Sequence, residues 1–218
     1  IGMTQPDWKR EAPPSVLLTA LKETFDLRKT KAGQIRLAAF VITTIAEAVG
    51  LIFWLNLVGQ DRNFQGFLWL VGGEAVEWAA LAYMIAKSPL SYPKKQGHVG
   101  RSLVTSGLTS LSEAFLWVGW LLLIPVCGIW WASLALLIAM HAKHVTEMTI
   151  FTGKRFFALA FDERDITASV IEVAGAVMWF SLVMAGYPVI GGIILFIMLF
   201  LEHILQFQTA GFLKKSDE

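Results

Sequence analysis

A chain of 218 residues that is 56% hydrophobic, 12% aromatic and only 16% charged, with a mean hydropathy of +0.59, is too apolar for an ordinary soluble domain. Its formal net charge is +1 and no basic patch stands out, which argues against a nucleic-acid-binding surface. The single cysteine, Cys127, rules out an internal disulfide or a cysteine metal cage.

The first element lies in residues 15–31, after Pro13 and Pro14. Val16, Leu17, Leu18, Leu21 and Phe25 fall near one helical face, with Lys22, Glu23 and Lys29 elsewhere. This pattern predicts an amphipathic helix lying along the cytoplasmic interface, its basic residues near anionic headgroups. No apolar signal-peptide core precedes it, so the first membrane helix is expected to direct insertion. Six apolar stretches follow, near 36–58, 67–86, 104–124, 129–151, 166–185 and 188–207. Each is long enough to cross a hydrocarbon core about 30 Å thick. The expected fold is therefore an all-α integral membrane protein, a six-transmembrane-helix bundle with an N-terminal interfacial helix. It divides into a cytoplasmic tail and interfacial helix (1–35), a membrane domain (36–207) and a C-terminal tail (208–218).

The connections alternate in charge. Lys22, Arg28, Lys29, Lys31 and Arg36 precede or open the first span, whereas the first loop has only Arg62 beside Asp61. Lys87, Lys94, Lys95 and Arg101 mark the second connection and Lys154, Arg155 and Arg164 the fourth; Lys214 and Lys215 close the chain. The third and fifth connections are nearly uncharged. By the positive-inside rule both termini are expected to be cytoplasmic. Tyr92-Pro93-Lys94-Lys95 and Asp162-Glu163-Arg164-Asp165 read as solvated connections. Trp69, Trp130 and Trp131 sit where an interfacial aromatic belt is expected. Trp54, Trp78, Trp117 and Trp179 follow glutamates by four to seven residues, which hints at a weak repeat of three helices followed by three.

Glu47, Glu74, Glu77, Glu113, Glu147, Glu172 and Glu202 all fall inside these spans. A carboxylate at the bilayer centre costs at least ~2.5 kcal/mol on insertion scales, and Lys143 is the only basic residue at comparable depth. It is expected to snorkel or to pair with a glutamate. At about 1.5 Å per residue, Glu113, His144, Glu147, Glu172, Glu202 and His203 share one layer in the cytoplasmic half. They form the expected metal-binding set. Glu47, Glu77 and His141 lie nearer the midplane and Glu74 farther outward, and these four trace a candidate proton or ion path. His141, His144 and Glu147 form a stripe with three-residue spacing, as do Glu74 and Glu77, so each group can address a shared ligand. Glu202 and His203 diverge by about 100°, so both need not enter one site.

Carboxylates with neutral imidazoles suit iron, manganese or zinc, as one or two ions. Helical bundles build di-metal sites from glutamates and Glu-x-x-His pairs; here the order is His-x-x-Glu. The expected function is a membrane-embedded metal-binding protein, acting as a metalloenzyme on a lipidic or quinone-like substrate. The alternative is a cation or proton transporter or channel that uses the intramembrane glutamates, and a third reading is a noncatalytic membrane subunit. The lipid bilayer is a partner in all three; no catalytic residue and no protein partner emerges. Against each stands plain packing: a lone intramembrane glutamate or histidine is as readily a hydrogen-bonded structural residue. Ser106, Ser110 and Ser112 precede Glu113 without a Ser-His-acid arrangement.

Overall fold

The computed structural model describes residues 16–87 and 96–210, and the regular structure among them is entirely helical. Pro13, Pro14, the Tyr92-Pro93-Lys94-Lys95 connection and the tail with Lys214 and Lys215 lie outside the described residues. A short helix α1 (Val16–Asp26) and a 3-10 turn (Leu27–Lys29) lead into α2 (Lys31–Val58), followed by α3 (Asn63–Lys87), α4 (Val99–Cys127) and α5 (Ile129–Thr152). A one-turn α6 (Phe156–Ala160) precedes α7 (Glu163–Met184) and α8 (Pro188–Thr209).

Among the described residues, four helices are long and apolar enough to cross a membrane: Gly33–Val58 within α2, and all of α4, α7 and α8. The chain is thus associated with a membrane. Helices α3 and α5 are of similar length, 25 and 24 residues. They carry Glu74 and Glu77, and His141, Lys143, His144 and Glu147, whose polarity lowers their hydropathy.

Local chemistry sets the helix ends. Helix α2 starts before residue 36 because Thr30 caps it, its hydroxyl accepting from Gly33 N–H at 3.0 Å. Asp162 caps α7 through Arg164 N–H at 3.0 Å, which draws Asp165 into the first turn, where it is buried. The expected solvated connection is therefore a helix start. Gly128, at φ 82°, makes the single-residue link between α4 and α5, a backbone state that favours glycine.

The six long helices close a ring. Helix α2 packs on α3, α3 on α4, α4 on α5, α5 on α7, α7 on α8, and α8 returns to α2. Packing is most extensive within the pairs α2/α3, α4/α5 and α7/α8, which are hairpins joined by short connections. Written beneath one another, segments 44–78, 110–144 and 169–203 run in register without a gap. Thr44, Ser110 and Ser169 align, then Glu47, Glu113 and Glu172, then Trp54, Trp120 and Trp179, then Leu70, Leu136 and Leu195. Every one of these side chains is buried. The segments end in Glu77-Trp78, Lys143-His144 and Glu202-His203.

Close contacts repeat as well. A Cβ on Gly66 would lie 2.9 Å from the Trp54 carbonyl oxygen, and one on Gly191 would lie 3.0 Å from that of Trp179. The repeat is therefore a hairpin present three times, which corrects the expected division into two three-helix halves. Trp120 rather than Trp117 is the aligned tryptophan, and with it the spacing from glutamate is constant.

Two apolar layers fill the ring. One holds Leu51, Trp54, Trp117, Trp120, Leu136 and Trp179; the other holds Phe40, Leu81, Met84, Phe151, Leu205 and Phe207. Each long helix passes from one layer to the other, and the ionisable residues lie at the crossing. Helix α1 packs on α8 and the 3-10 turn on α2; Ala20, Thr24 and Leu27 are buried while Leu18 and Phe25 stay exposed. Gln208 Nε2 donates to the Ala20 carbonyl at 2.6 Å. The apolar face expected for α1 is thus split between protein and surroundings.

Candidate metal centre

Helix α2 supplies Glu47 to the layer between the two cores, α3 Glu74 and Glu77, α4 Glu113, and α7 Glu172. Helix α5 adds Lys143, His144 and Glu147, and α8 adds Glu202 and His203. All are buried. The repeat explains the convergence: equivalent positions on three hairpins face the same interior.

Two imidazoles occupy equivalent positions and make equivalent contacts. His144 Nδ1 lies 3.0 Å from Ser169 Oγ, whose own proton goes to the Asp165 carbonyl at 2.9 Å. Ser169 therefore accepts and His144 Nδ1 donates. His203 Nδ1 lies 3.0 Å from the Leu199 carbonyl and 3.3 Å from Thr44 Oγ1, which itself donates to the Phe40 carbonyl at 3.2 Å. Here too Nδ1 must carry the proton. Both rings thus turn Nε2 toward carboxylates of neighbouring helices, while His203 Nδ1 also stands 3.3 Å from Glu202 Oε2; a second hydrogen bond of this kind orients metal-binding histidines. His203 is also held by stacking on Phe207, with ring centroids 5.6 Å apart.

The Nε2–oxygen separations are informative. His144 Nε2 stands 3.2 Å from Glu172 Oε2 and 3.7 Å from Glu202 Oε1. His203 Nε2 stands 3.4 Å from Glu47 Oε2 and 3.9 Å from Glu77 Oε1. Most exceed the usual N–H···O range of 2.7–3.2 Å. Two ligands bound at about 2.1 Å to one tetrahedral ion stand about 3.4 Å apart, close to the His144–Glu172 and His203–Glu47 separations; the contacts with Glu202 Oε1 and Glu77 are longer. Ligand atoms come within 4.8 Å of one another in four triads: Glu47/Glu202/His203, His144/Glu172/Glu202, Glu47/Glu113/Glu172 and Glu74/Glu77/Glu113. Glu202 joins the two triads that contain histidine.

No hydrogen bond is made to either carboxylate oxygen of Glu172 or Glu74, or to Glu77 Oε2, although His144 Nε2 stands beside Glu172 Oε2. Buried polar atoms are normally hydrogen-bonded, so these oxygens call for a cation or a proton. Seven glutamates are buried beside one lysine. Among the described residues, Lys143 and two protonated imidazoles would still leave four of these carboxylates without a cationic partner.

Other expected ligands take different places. Lys143 Nζ bonds Glu113 Oε2 and lies 3.2 Å from Glu147 Oε2. Thr109 donates to Glu147 Oε1 at 2.7 Å, so Glu147 faces Lys143 and lies in neither histidine triad. His141 turns away, its Nε2 lying 3.0 Å from the Ala160 carbonyl and its Nδ1 3.1 Å from Ser169 Oγ. Glu47 and Glu77, expected on an ion path, meet His203 directly, and Glu202 and His203 enter one triad despite their angular divergence. The hydroxyls of Thr44, Thr109 and Ser169 were not foreseen. Their signal was a hydroxyl residue one helical turn before a glutamate, three residues before Glu47 and Glu172 for Thr44 and Ser169 and four before Glu113 for Thr109.

Comparison with protein-family models, with curated proteins and with solved structures finds no match. The functional reading therefore rests on this geometry.

Proposed function

We propose that the protein is a membrane metalloprotein that holds two transition-metal ions in its carboxylate layer and acts on a lipidic substrate. The observation that carries this reading is the pair of equivalent imidazole–carboxylate contacts, His144 with Glu172 and His203 with Glu47, joined through Glu202. Two divalent ions would offset much of the carboxylate charge that Lys143 leaves unmatched. Iron, manganese or zinc fits a mixed oxygen and imidazole set. When bound, such ions polarise a substrate oxygen or activate water. The chain's own residues orient the ligands, through Ser169, Thr44 and the Leu199 carbonyl, and exclude bulk water.

The same reading takes all six long helices as spans, with both termini cytoplasmic and α1 at the interface, its exposed Leu18 and Phe25 toward lipid. A cation or proton transporter would draw on the same glutamates. The layers of Trp54, Trp120 and Trp179 on one side and of Phe40, Phe151 and Phe207 on the other weigh against a continuous polar route.

Elemental analysis of protein purified without added metal tests the proposal. Wild type is expected to carry two equivalents, His144→Ala and His203→Ala about one each, and Glu202→Gln the least; Glu23→Gln on α1 should match wild type. Metal-free wild type, or equal metal in every variant, would refute it.

A further inference from the structure

The three hairpins create three quasi-equivalent seams, and one of them differs. At the α5/α7 seam the Ser169 hydroxyl meets His144, and at the α8/α2 seam the Thr44 hydroxyl meets His203. The corresponding pair at the α3/α4 seam is Ser110 and Trp78. Trp78 cannot repeat the contact: its indole N–H donates to the Leu103 carbonyl at 2.9 Å, on the outer side of the bundle. Ser110 Oγ is left buried without a hydrogen-bond partner, as are both oxygens of Glu74.

A cavity of about 270 Å³ opens along this seam, lined by Val71, Glu74, Ala75, Trp78, Ser110 and Leu111. Of the residues lining it, Leu111 and Trp78 are exposed, so its mouth is largely apolar. Its inner end is Glu74, which forms a triad with Glu77 and Glu113, and Glu77 reaches toward His203. The seam between α5 and α7 has a cavity of about 240 Å³, but the residues lining it include no carboxylate. Met140 and Leu199 stand where Glu74 would be in the other two repeats. The polar layer thus approaches the outside laterally at the one seam where the hydroxyl–imidazole clasp is missing.

We propose that the α3/α4 seam is a lipid-side port that binds the hydroxylated aromatic head of an apolar-tailed ligand of the phenol or hydroquinone class. The volume is slightly below that of a pocket for a whole drug-sized molecule, so it accommodates a head group while the tail remains in lipid. Glu74 accepts a hydrogen bond from a ring hydroxyl, Ser110 donates or accepts one, and Trp78 offers a ring face. Both polar groups then gain the partners they lack. The assignment deepens the metalloprotein reading and rests on it for what the ligand approaches beyond Glu74.

The test measures saturable binding of a radiolabelled decyl-substituted hydroquinone, kept reduced, to the protein in nanodiscs, with empty discs subtracted and metal content determined on the same samples. A Cβ on Gly107 would sit 3.0 Å from Trp78 Nε1 and 3.3 Å from Cε2, so Gly107→Leu pushes into the port. A Cβ on Gly119 meets nothing within 4 Å, and Gly119→Leu serves as the control. Wild type and Gly119→Leu are expected to bind one equivalent. Gly107→Leu should bind at least about tenfold more weakly, and Ser110→Ala several-fold more weakly, as for loss of a hydrogen bond; both should retain wild-type metal. Ser110→Ala carries the test if Gly107→Leu does not fold. Absence of saturable binding in wild type, wild-type affinity in both port variants, or binding of decylamine in place of the hydroquinone would overturn the port. Port-dependent binding by metal-free protein would leave the port standing and remove the metal reading, whereas metal without binding would do the reverse.

Discussion

Lys143 is the sharpest point at which to perturb this interior. Its ammonium bonds Glu113 and lies 3.2 Å from Glu147, and the side chain is buried. Lys143→Met keeps the length and apolar stem but removes the charge. Taking one partner from a buried ion pair costs about 3–5 kcal/mol, because the other is left uncompensated, and here two carboxylates lose the same cation. Thr109 continues to serve Glu147 at 2.7 Å, so the larger share of the loss falls on Glu113. For a chain of this size each kcal/mol lowers the melting temperature by about 2–4 °C, which gives a fall of about 6–20 °C. Thermal unfolding in detergent, followed by tryptophan fluorescence, measures it. Lys143→Met/Glu113→Gln should recover more than about 1 kcal/mol relative to additivity, since a neutral amide needs no cation. A fall under about 2 °C in the single variant, or additive effects in the cycle, would show that the ammonium does not hold these carboxylates in place.

Three further outcomes follow from the same geometry. Gly66→Ala and Gly191→Ala should each destabilise by about 1–3 kcal/mol, because each new Cβ meets a tryptophan carbonyl at 2.9 and 3.0 Å respectively; Gly72→Ala, which meets nothing within 4 Å, should be neutral or mildly stabilising, and melting temperatures compare them. Ser169→Ala removes the acceptor that orients His144 and should weaken metal binding about 10–100-fold, while Ser106→Ala, whose hydroxyl has no hydrogen-bond partner, should leave it unchanged in a chelator-competition titration. Cys127 is free and exposed, and under the proposed orientation a membrane-impermeant maleimide should label it from outside intact cells; labelling only after lysis would invert the topology.

The sequence disclosed the six long helices because each is a long, mainly apolar stretch bounded by turn or charged residues, and four of them are apolar enough to cross a membrane. It disclosed the shared layer because depth follows from a fixed rise per residue. Finer pairing depended on competition that spacing cannot express. Glu147 is three residues from His144, yet it faces Lys143, four residues away, because the ammonium offers it a charge and Thr109 fixes its other oxygen. His141 belongs to the same stripe but finds the Ala160 carbonyl, which α6 brings to it from outside the six long helices. Glu202 and His203 point apart on their helix, yet a glutamate is long enough to swing back, so both reach Glu47. The hairpin repeat was obscured because few aligned positions are identical, and Trp117 and Trp78 compete with the true tryptophan register.

The departures from the repeat explain the arrangement of the site. Three identical hairpins would place three imidazoles and three hydroxyls around the layer. Two repeats keep the histidine, at His144 and His203, and both clasp the next hairpin through Ser169 and Thr44. In the repeat that carries Trp78 the clasp is absent, and Glu113, the carboxylate that would face a third imidazole, is instead held by Lys143 from the adjacent helix. Lys143 thus supplies a covalently fixed cation at the corner where the third imidazole is missing. That substitution stabilises Glu113 without closing the seam, and Trp78, turned outward to Leu103, leaves Glu74 and Ser110 bordering the cavity. Under the metalloprotein proposal, the two corners with imidazoles are the ones that would hold ions, and the third is the proposed port.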